Sequence, residues 1–192
     1  MLRIYNLWIV EKNMKKLLAL FLFLAVQTTI SATTIPKLDH LGTLEFEMSG
    51  FYLADKYKMI ADFGPGKIKF NDGGSGKVKV CVEFSDFIAN DKQTIAVNVT
   101  CRLMMSDNSA LYLEYYGRLV PDKNFGKNIE SGKSLVKNDG VQNWFTGISL
   151  RTTSKKYGYL NNLLLLGKGK ELRNPTKDRK GLVSYDLYKP NY

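Results

Sequence analysis

The chain has 192 residues, and its 28 Lys and Arg against 18 Asp and Glu give a formal charge of +10. That length is one domain's worth with enough residues for a real core, and the basic balance favours anionic surfaces as contacts without bearing on fold. Two cysteines and the single His40 leave a zinc-type metal site almost without ligands.

Residues 1–13 fit poorly in front of Met14, because Trp8, Ile9, Val10 and the acidic Glu11 stand where a short positive segment belongs. They are expected to be a mis-assigned extension ahead of a true start at Met14. Lys15 and Lys16, the apolar run Leu17–Val26, and Ile30-Ser31-Ala32 then read as the parts of a secretory signal peptide over 14–32. The apolar run is about half the roughly 20 residues that a spanning helix needs, so no stable membrane anchor is expected. No cysteine lies near the cleavage point, which argues against lipid attachment. The expected product, residues 33–192, is a soluble periplasmic or secreted domain with a charge of +7.

Period-2 alternation dominates that domain and helical periodicity is nearly absent. Leu41–Leu53 reads as a strand with Leu44, Phe46 and Met48 on one face. Ile60–Phe70 reads as a second, broken at Gly64-Pro65-Gly66, and the turn signal Asn71–Gly76 comes after it. In Lys77–Phe84 the apolar face is Val78, Val80, Val82 and Phe84, which places Cys81 with Lys77, Lys79 and Glu83 on the polar face. In Thr94–Met105 Cys101 belongs to the apolar set of Ile95, Val97, Val99, Leu103 and Met105. An oxidising compartment favours a disulfide, whereas this parity sends the two thiols to opposite faces, and a β-bulge would bring them back together. Whether they pair stays open. Gly73-Gly74-Ser75-Gly76-Lys77 lacks the hydroxyl residue and helix of a phosphate loop and reads as a hairpin turn.

Ala110–Val120 is the next strand. Tyr112, Glu114, Tyr116 and Arg118 alternate onto one face, opposite Leu111, Leu113 and Tyr115. If the first set lines an interior, Glu114 is a candidate proton-transfer group and Tyr112, Tyr116 and Arg118 are ligand-binding candidates. If it faces outward, it is an exposed Glu beside aromatics. Pro121–Asn143 is polar and reads as a flap, binding loop or insertion. Trp144–Thr152 resumes strand character. Tyr157–Gly167, with four consecutive leucines, suits a strand or a short helix. A basic loop carries Lys168, Lys170, Arg173, Lys177, Arg179 and Lys180, and Gly181–Tyr188 closes the series. Evenly spaced short strands with turns between them predict an all-β fold, a small antiparallel closed β-barrel.

Leu150-Arg151-Thr152-Thr153, Tyr157-Gly158-Tyr159-Leu160-Asn161, Leu165-Leu166-Gly167-Lys168-Gly169 and Val183-Ser184-Tyr185-Asp186-Leu187-Tyr188 occur in that order. Together with Asp107–Arg118 this C-terminal half resembles the uncharacterised bacterial domain-of-unknown-function family 3237. The resemblance implies a closed barrel similar in build to lipocalin and allene oxide cyclase barrels, with no established activity. Arg151 joins Glu114 as a catalytic candidate, able to hold a carboxylate or enolate, and Tyr157, Tyr159 and Asn161 are candidate donors to the same ligand. The function expected is binding of a small, partly apolar organic molecule in the barrel interior, extending to a cofactor-independent isomerase, cyclase or lyase. The alternative is an envelope module that binds an anionic polymer or a protein through its basic loops. No aromatic residue interleaves with those charges, so nucleic acid is not an expected partner, and no cofactor is called for.

Overall fold

A computed structural model describes residues 36–88 and 94–191. The extension at 1–13 and the signal segment at 14–32 lie outside them. The chain forms an eight-stranded antiparallel barrel from β1 (Lys37–Leu53), β2 (Lys58–Phe70), β3 (Ser75–Phe87), β4 (Ile95–Met105), β5 (Ala110–Pro121), β7 (Gly140–Thr152), β8 (Leu164–Arg173) and β9 (Leu182–Asn191). Neighbours in sequence are mostly neighbours in space. The sheet closes where β5 pairs with β7 and where β1 pairs with β9, leaving no long free edge among these eight strands. The two-residue β6 (Val136–Lys137) adds to β7 outside the closed ring.

The core is what alternation places inside: Leu44 and Phe46 of β1, Ile68 of β2, Val99 and Leu103 of β4, Leu111, Leu113 and Tyr115 of β5, Ile148 and Leu150 of β7, and Leu187 of β9, all essentially fully buried. Gly64-Pro65-Gly66 does not end a strand. It sits inside β2, where the partners of Phe46 and Met48 are Gly66 and Phe63. Proline removes a ladder donor and is tolerated at such a bulge.

One end of the barrel is closed by residues 157–163. A single 3-10 turn (Gly158–Asn162) buries Leu160, while Tyr157 is buried with its hydroxyl paired to that of Ser106 at 2.7 Å. The ambiguous Tyr157–Gly167 segment is thus a turn that runs into β8. At the other end the polar stretch after Pro121 holds a six-residue helix, α1 (Phe125–Glu130), which lays Phe125 and Ile129 against the interior. The basic loop expected from Lys168 starts later, because Lys168, Lys170 and Arg173 belong to β8. Arg173 is buried, ion-paired with Glu171 and hydrogen-bonded to the Lys180 carbonyl, so it is a satisfied internal charge rather than a solvated one.

Cys81 and Cys101 form a disulfide between directly opposed positions of β3 and β4. The parity reading that separated them is overturned by a bulge. Val78 pairs with Leu103, but Val80 pairs with Arg102, so Lys79 is an extra residue in β3. Beyond it every side chain of β3 changes face. Cys81, Glu83 and Ser85 turn inward, and Val80 and Phe84 turn outward.

Candidate functional site

The α1 end of the barrel interior holds a cavity of about 200 Å³. Its walls are apolar: Met48, Met59 and Ala61 from the β1–β2 hairpin, Ile95 and Val97 from β4, Leu119 from β5, Trp144 from β7, and Phe125 and Ile129 from α1. The volume is on the order of the 150 Å³ that accepts benzene in an engineered apolar cavity. It therefore suits a molecule of one or two rings.

Among the described residues Glu83 is the one charged side chain in the lining. It reaches the interior only because of the bulge at Lys79. Its carboxylate accepts a hydrogen bond from Ser85 Oγ, two residues along the same face. Burial among apolar groups pushes its pKa up to about 7 from an ordinary 4.5, with the Ser85 bond pulling the other way. Near neutral pH the group is therefore divided between its acid and base forms.

Two phenols lie close by. Tyr185 Oη donates to Tyr115 Oη at 3.3 Å, and the rings meet edge to face. Both are fully buried, and burial together with the Glu83 charge raises both pKa values, so both remain neutral hydroxyls. Trp144 packs edge to face on Tyr185, and its Nε1 makes no hydrogen bond. The indole can lie where it does because residue 169 is glycine. A Cβ at Gly169 would overlap Cδ2 and Cε3 of the Trp144 ring. An acid–base group, the Tyr185 hydroxyl and an N–H without a partner thus line one apolar cavity, and the Tyr115 hydroxyl is hydrogen-bonded to that of Tyr185. They can move a proton and hold the oxygen on which charge develops. No three His, Cys, Asp or Glu side chains converge as a metal site among the described residues.

The site residues expected from sequence lie elsewhere. The β5 face carrying Tyr112, Glu114, Tyr116 and Arg118 is the outer face, since Leu111, Leu113 and Tyr115 fill the interior. There Arg151 pairs with Glu114 at 2.9 Å and lies over the Tyr112 ring, whose hydroxyl donates to Glu114 at 2.6 Å. Hydrogen bonding from Tyr112, and then from Arg151, lowers the Glu114 pKa, so this carboxyl stays ionised. The structure brings Glu114, Arg151 and Tyr112 together, but on the surface and away from the cavity. Arg118 and Tyr116 lie exposed on the same face. Tyr159 donates to Asp72 at 2.7 Å, and Asn161 mimics a backbone unit by pairing with both the N–H and the C=O of Thr152. With Tyr157 these residues tie down the closed end of the barrel. An exposed pair such as Arg151–Glu114 contributes little to stability. Arg151→Ala is expected to leave the urea unfolding midpoint almost where it is in the parent chain, and a marked fall in that midpoint would show that the pair is structural.

A family model described as "Protein of unknown function (DUF3237)" matches residues 36–189, which extends the likeness of the C-terminal half through the N-terminal strands. The chain is similar to a solved conserved protein of unknown function from Rhodopseudomonas palustris, with 18% identity and a TM-score of 0.68 over 82% of this chain and 99% of that one. It is also similar to a beta-barrel like protein from Acinetobacter baumannii, with 17% identity, a TM-score of 0.61, and 84% and 99% coverage. A third solved structure, an enzyme from Penicillium herquei, gives 17% identity, a TM-score of 0.53, and 84% and 98% coverage. No curated protein matches the chain.

Proposed function

The chain belongs to the DUF3237 family of proteins of unknown function, and on that premise we propose that its barrel interior binds a small, partly apolar organic molecule and moves a proton on it. The observation that carries this reading is Glu83, a lone carboxyl titrating near pH 7 inside an apolar cavity. Carboxyl groups are rarely buried in such surroundings, and perturbed ones cluster at functional sites.

In the proposed reaction Glu83 takes a proton from carbon next to a carbonyl of the ligand. The electron pair moves onto the carbonyl oxygen, where the Trp144 N–H and a tyrosine hydroxyl hold the charge. Protonated Glu83 then returns the proton at a second carbon, as an isomerase would, or the enolate re-forms the carbonyl and a new C=C bond while the leaving group takes the electrons of its bond to the β-carbon and the proton from Glu83, as in a lyase. No cofactor is needed to balance these steps. The Penicillium herquei protein, described as an enzyme, shares the barrel build, which agrees with chemistry in such an interior. The signal-like segment at 14–32 and the Cys81–Cys101 bond together support an exported, oxidising location.

The test is mass spectrometry of the full chain recovered from its own cells, under native and then denaturing conditions. Excess native mass that disappears on denaturation is expected, retained in Arg151→Ala and lost in Glu83→Gln. A native mass equal to the bare chain, or a ligand kept by Glu83→Gln and lost by Arg151→Ala, overturns the interior reading.

One observation favours the polymer-binding alternative, at a place other than the basic loop. Lys67 and Lys77 lie directly opposite each other on β2 and β3, flanked by Lys69 and Lys79 on the same outer groove. Like charges so placed destabilise a sheet, and only Lys67 has a carboxylate partner, Glu45 at 2.9 Å, among the described residues. An anionic polymer would relieve that repulsion. Such binding would weaken steeply with salt.

A further inference from the structure

β3 carries an apolar stripe that it does not use. In an unbroken strand Val78, Val80, Val82 and Phe84 would all face the core. In the fold only Val78 is buried, while Val80 and Phe84 are 55% and 47% exposed and Glu83 and Ser85 occupy the interior. A slip of one residue turns a strand's whole side-chain set over. Drawing Lys79 into the ladder and sliding the Val80–Phe87 half by one position would bury the stripe and return Glu83 to water. By apolar burial and by carboxyl hydration, that slipped register is the better local arrangement.

Something must hold the other one. Pairing with β2 stays in step through the bulge, with Gly66 opposite Val78 and Asp62 opposite Val82, because β2 changes face at the same level, burying Ala61 and Phe63 before Gly64-Pro65-Gly66 and Ile68 and Phe70 after it. β2 thus accommodates the bulged register but has no covalent link that fixes it. β4 does choose. It has no bulge of its own, and Cys101 sits on its inward face between Val99 and Leu103. The bond to Cys81 exists only when Cys81 also faces inward, two positions before Glu83 on the same face. The slipped register would send the two sulfurs to opposite sides of the sheet.

We propose that the Cys81–Cys101 disulfide is a positioning device, which locks β3 in its bulged register and thereby holds Glu83 in the cavity. This rests on the reading of Glu83 as the working group of the interior, but its test is separable from that reading. The groups facing Glu83 are Ser85 on its own strand, Tyr115 of β5 and Tyr185 of β9, with no other charged side chain of the described residues in the cavity wall. Its titration is therefore a clean report of where it points.

The experiment follows the Glu83 carboxyl carbon by NMR across pH in the full chain, in Cys81→Ala/Cys101→Ala, and in that variant with Val80→Gln and Phe84→Lys added. The last two changes lie on the outer face in the observed register and would be buried in the slipped one. The expected midpoints are about 7 in the parent chain, near the ordinary value of about 4.3 in the double variant, and again about 7 in the fourfold variant. Return of the midpoint without the disulfide is a result that mere loss of stability would not produce. A folded double variant that still titrates at about 7 overturns the proposal. Should the double variant not fold, the fourfold variant decides. A folded fourfold variant with a midpoint of about 7 supports register control, whereas one that titrates near 4.3 or stays unfolded refutes it. If the midpoints move as stated while Glu83→Gln leaves ligand binding intact, the ligand reading fails and the positioning role stands.

Discussion

Replacing Glu83 by Gln is expected to make the folded chain more stable at pH 8 by about 3 kcal/mol, and to leave its stability nearly unchanged at pH 4. The Glu83 pKa is about 7 when folded against an ordinary 4.5. Between those values the native state holds a proton that the unfolded chain has released. Stability therefore falls as pH rises through that window, and the full penalty is present above pH 7. Below pH 4.5 the group is neutral in both states and costs nothing by this route. Gln fits the same space, stays neutral throughout, and offers its amide oxygen to Ser85. Asp107, held down to about 2 chiefly by a hydrogen bond from Ser109, and Asp72 and Asp139, also lowered, work in the opposite direction. They contribute stability that is lost at low pH, but equally in both chains, so the difference between chains isolates Glu83. Urea unfolding of both chains at pH 4 and pH 8 measures it. An equal difference at the two pH values would mean that Glu83 is not the buried acid described here. A group that lowers stability at working pH and yet supplies the cavity wall with its one carboxyl among the described residues has the signature of function retained at the expense of folding.

How much of this is legible in the sequence differs from strand to strand. Alternation locates β4 and β5 closely, because their apolar positions keep one parity from end to end and carry no bulge. It also shows that Tyr112, Glu114, Tyr116 and Arg118 share a face. It cannot say which face is inside, because β5 has tyrosines on both. In β3 alternation misleads outright. A bulge leaves no mark in composition when the extra residue is an ordinary Lys79 with no glycine or proline beside it, so the true inner set of Cys81, Glu83 and Ser85 reads as outer. The clue is nonetheless present in the cysteines. Two cysteines of opposite parity on adjacent strands imply either two free thiols or one inserted residue, and the second is the case. In β2 the same kind of irregularity is visible because Pro65 marks it, although it reads as a break between strands. Arg173 is misplaced for a simpler reason. Its burial depends on Glu171, Ser134 and the Lys180 carbonyl closing around it, which are contacts made by the fold rather than by spacing.

Gly169→Ala is expected to empty the site of its function while removing no functional group. Gly169 lies opposite Tyr185 in the β8–β9 ladder, so its backbone has little freedom to move away. A Cβ there would overlap Cδ2 and Cε3 of the Trp144 ring and crowd Cγ at 2.5 Å. Such an overlap is impossible, and an indole is too rigid to bend around a methyl group. Trp144 must leave the wall, and the space open to it is the cavity itself. Overpacking of this kind costs about 1–3 kcal/mol, here raised toward the upper figure by lost contact between Trp144 and Tyr185. Two observables report it. Urea unfolding should show a loss of about 3 kcal/mol. The fluorescence of Trp144, read in a chain where Trp8 is replaced by Phe, should change its maximum and lose its response to any ligand that the parent chain binds. A companion change, Trp144→Phe, separates the two consequences. The smaller ring relieves the clash at residue 169, so Gly169→Ala/Trp144→Phe should regain most of the stability lost by Gly169→Ala alone, yet lack the indole N–H that the proposed reaction uses. If the double variant is no more stable than Gly169→Ala, the cost arises from the backbone of β8, and Gly169 does not serve to seat Trp144. If it recovers stability and still turns over or holds the ligand as the parent does, the indole is a wall and not a donor, and the oxygen of the ligand must be held by the Tyr115–Tyr185 pair.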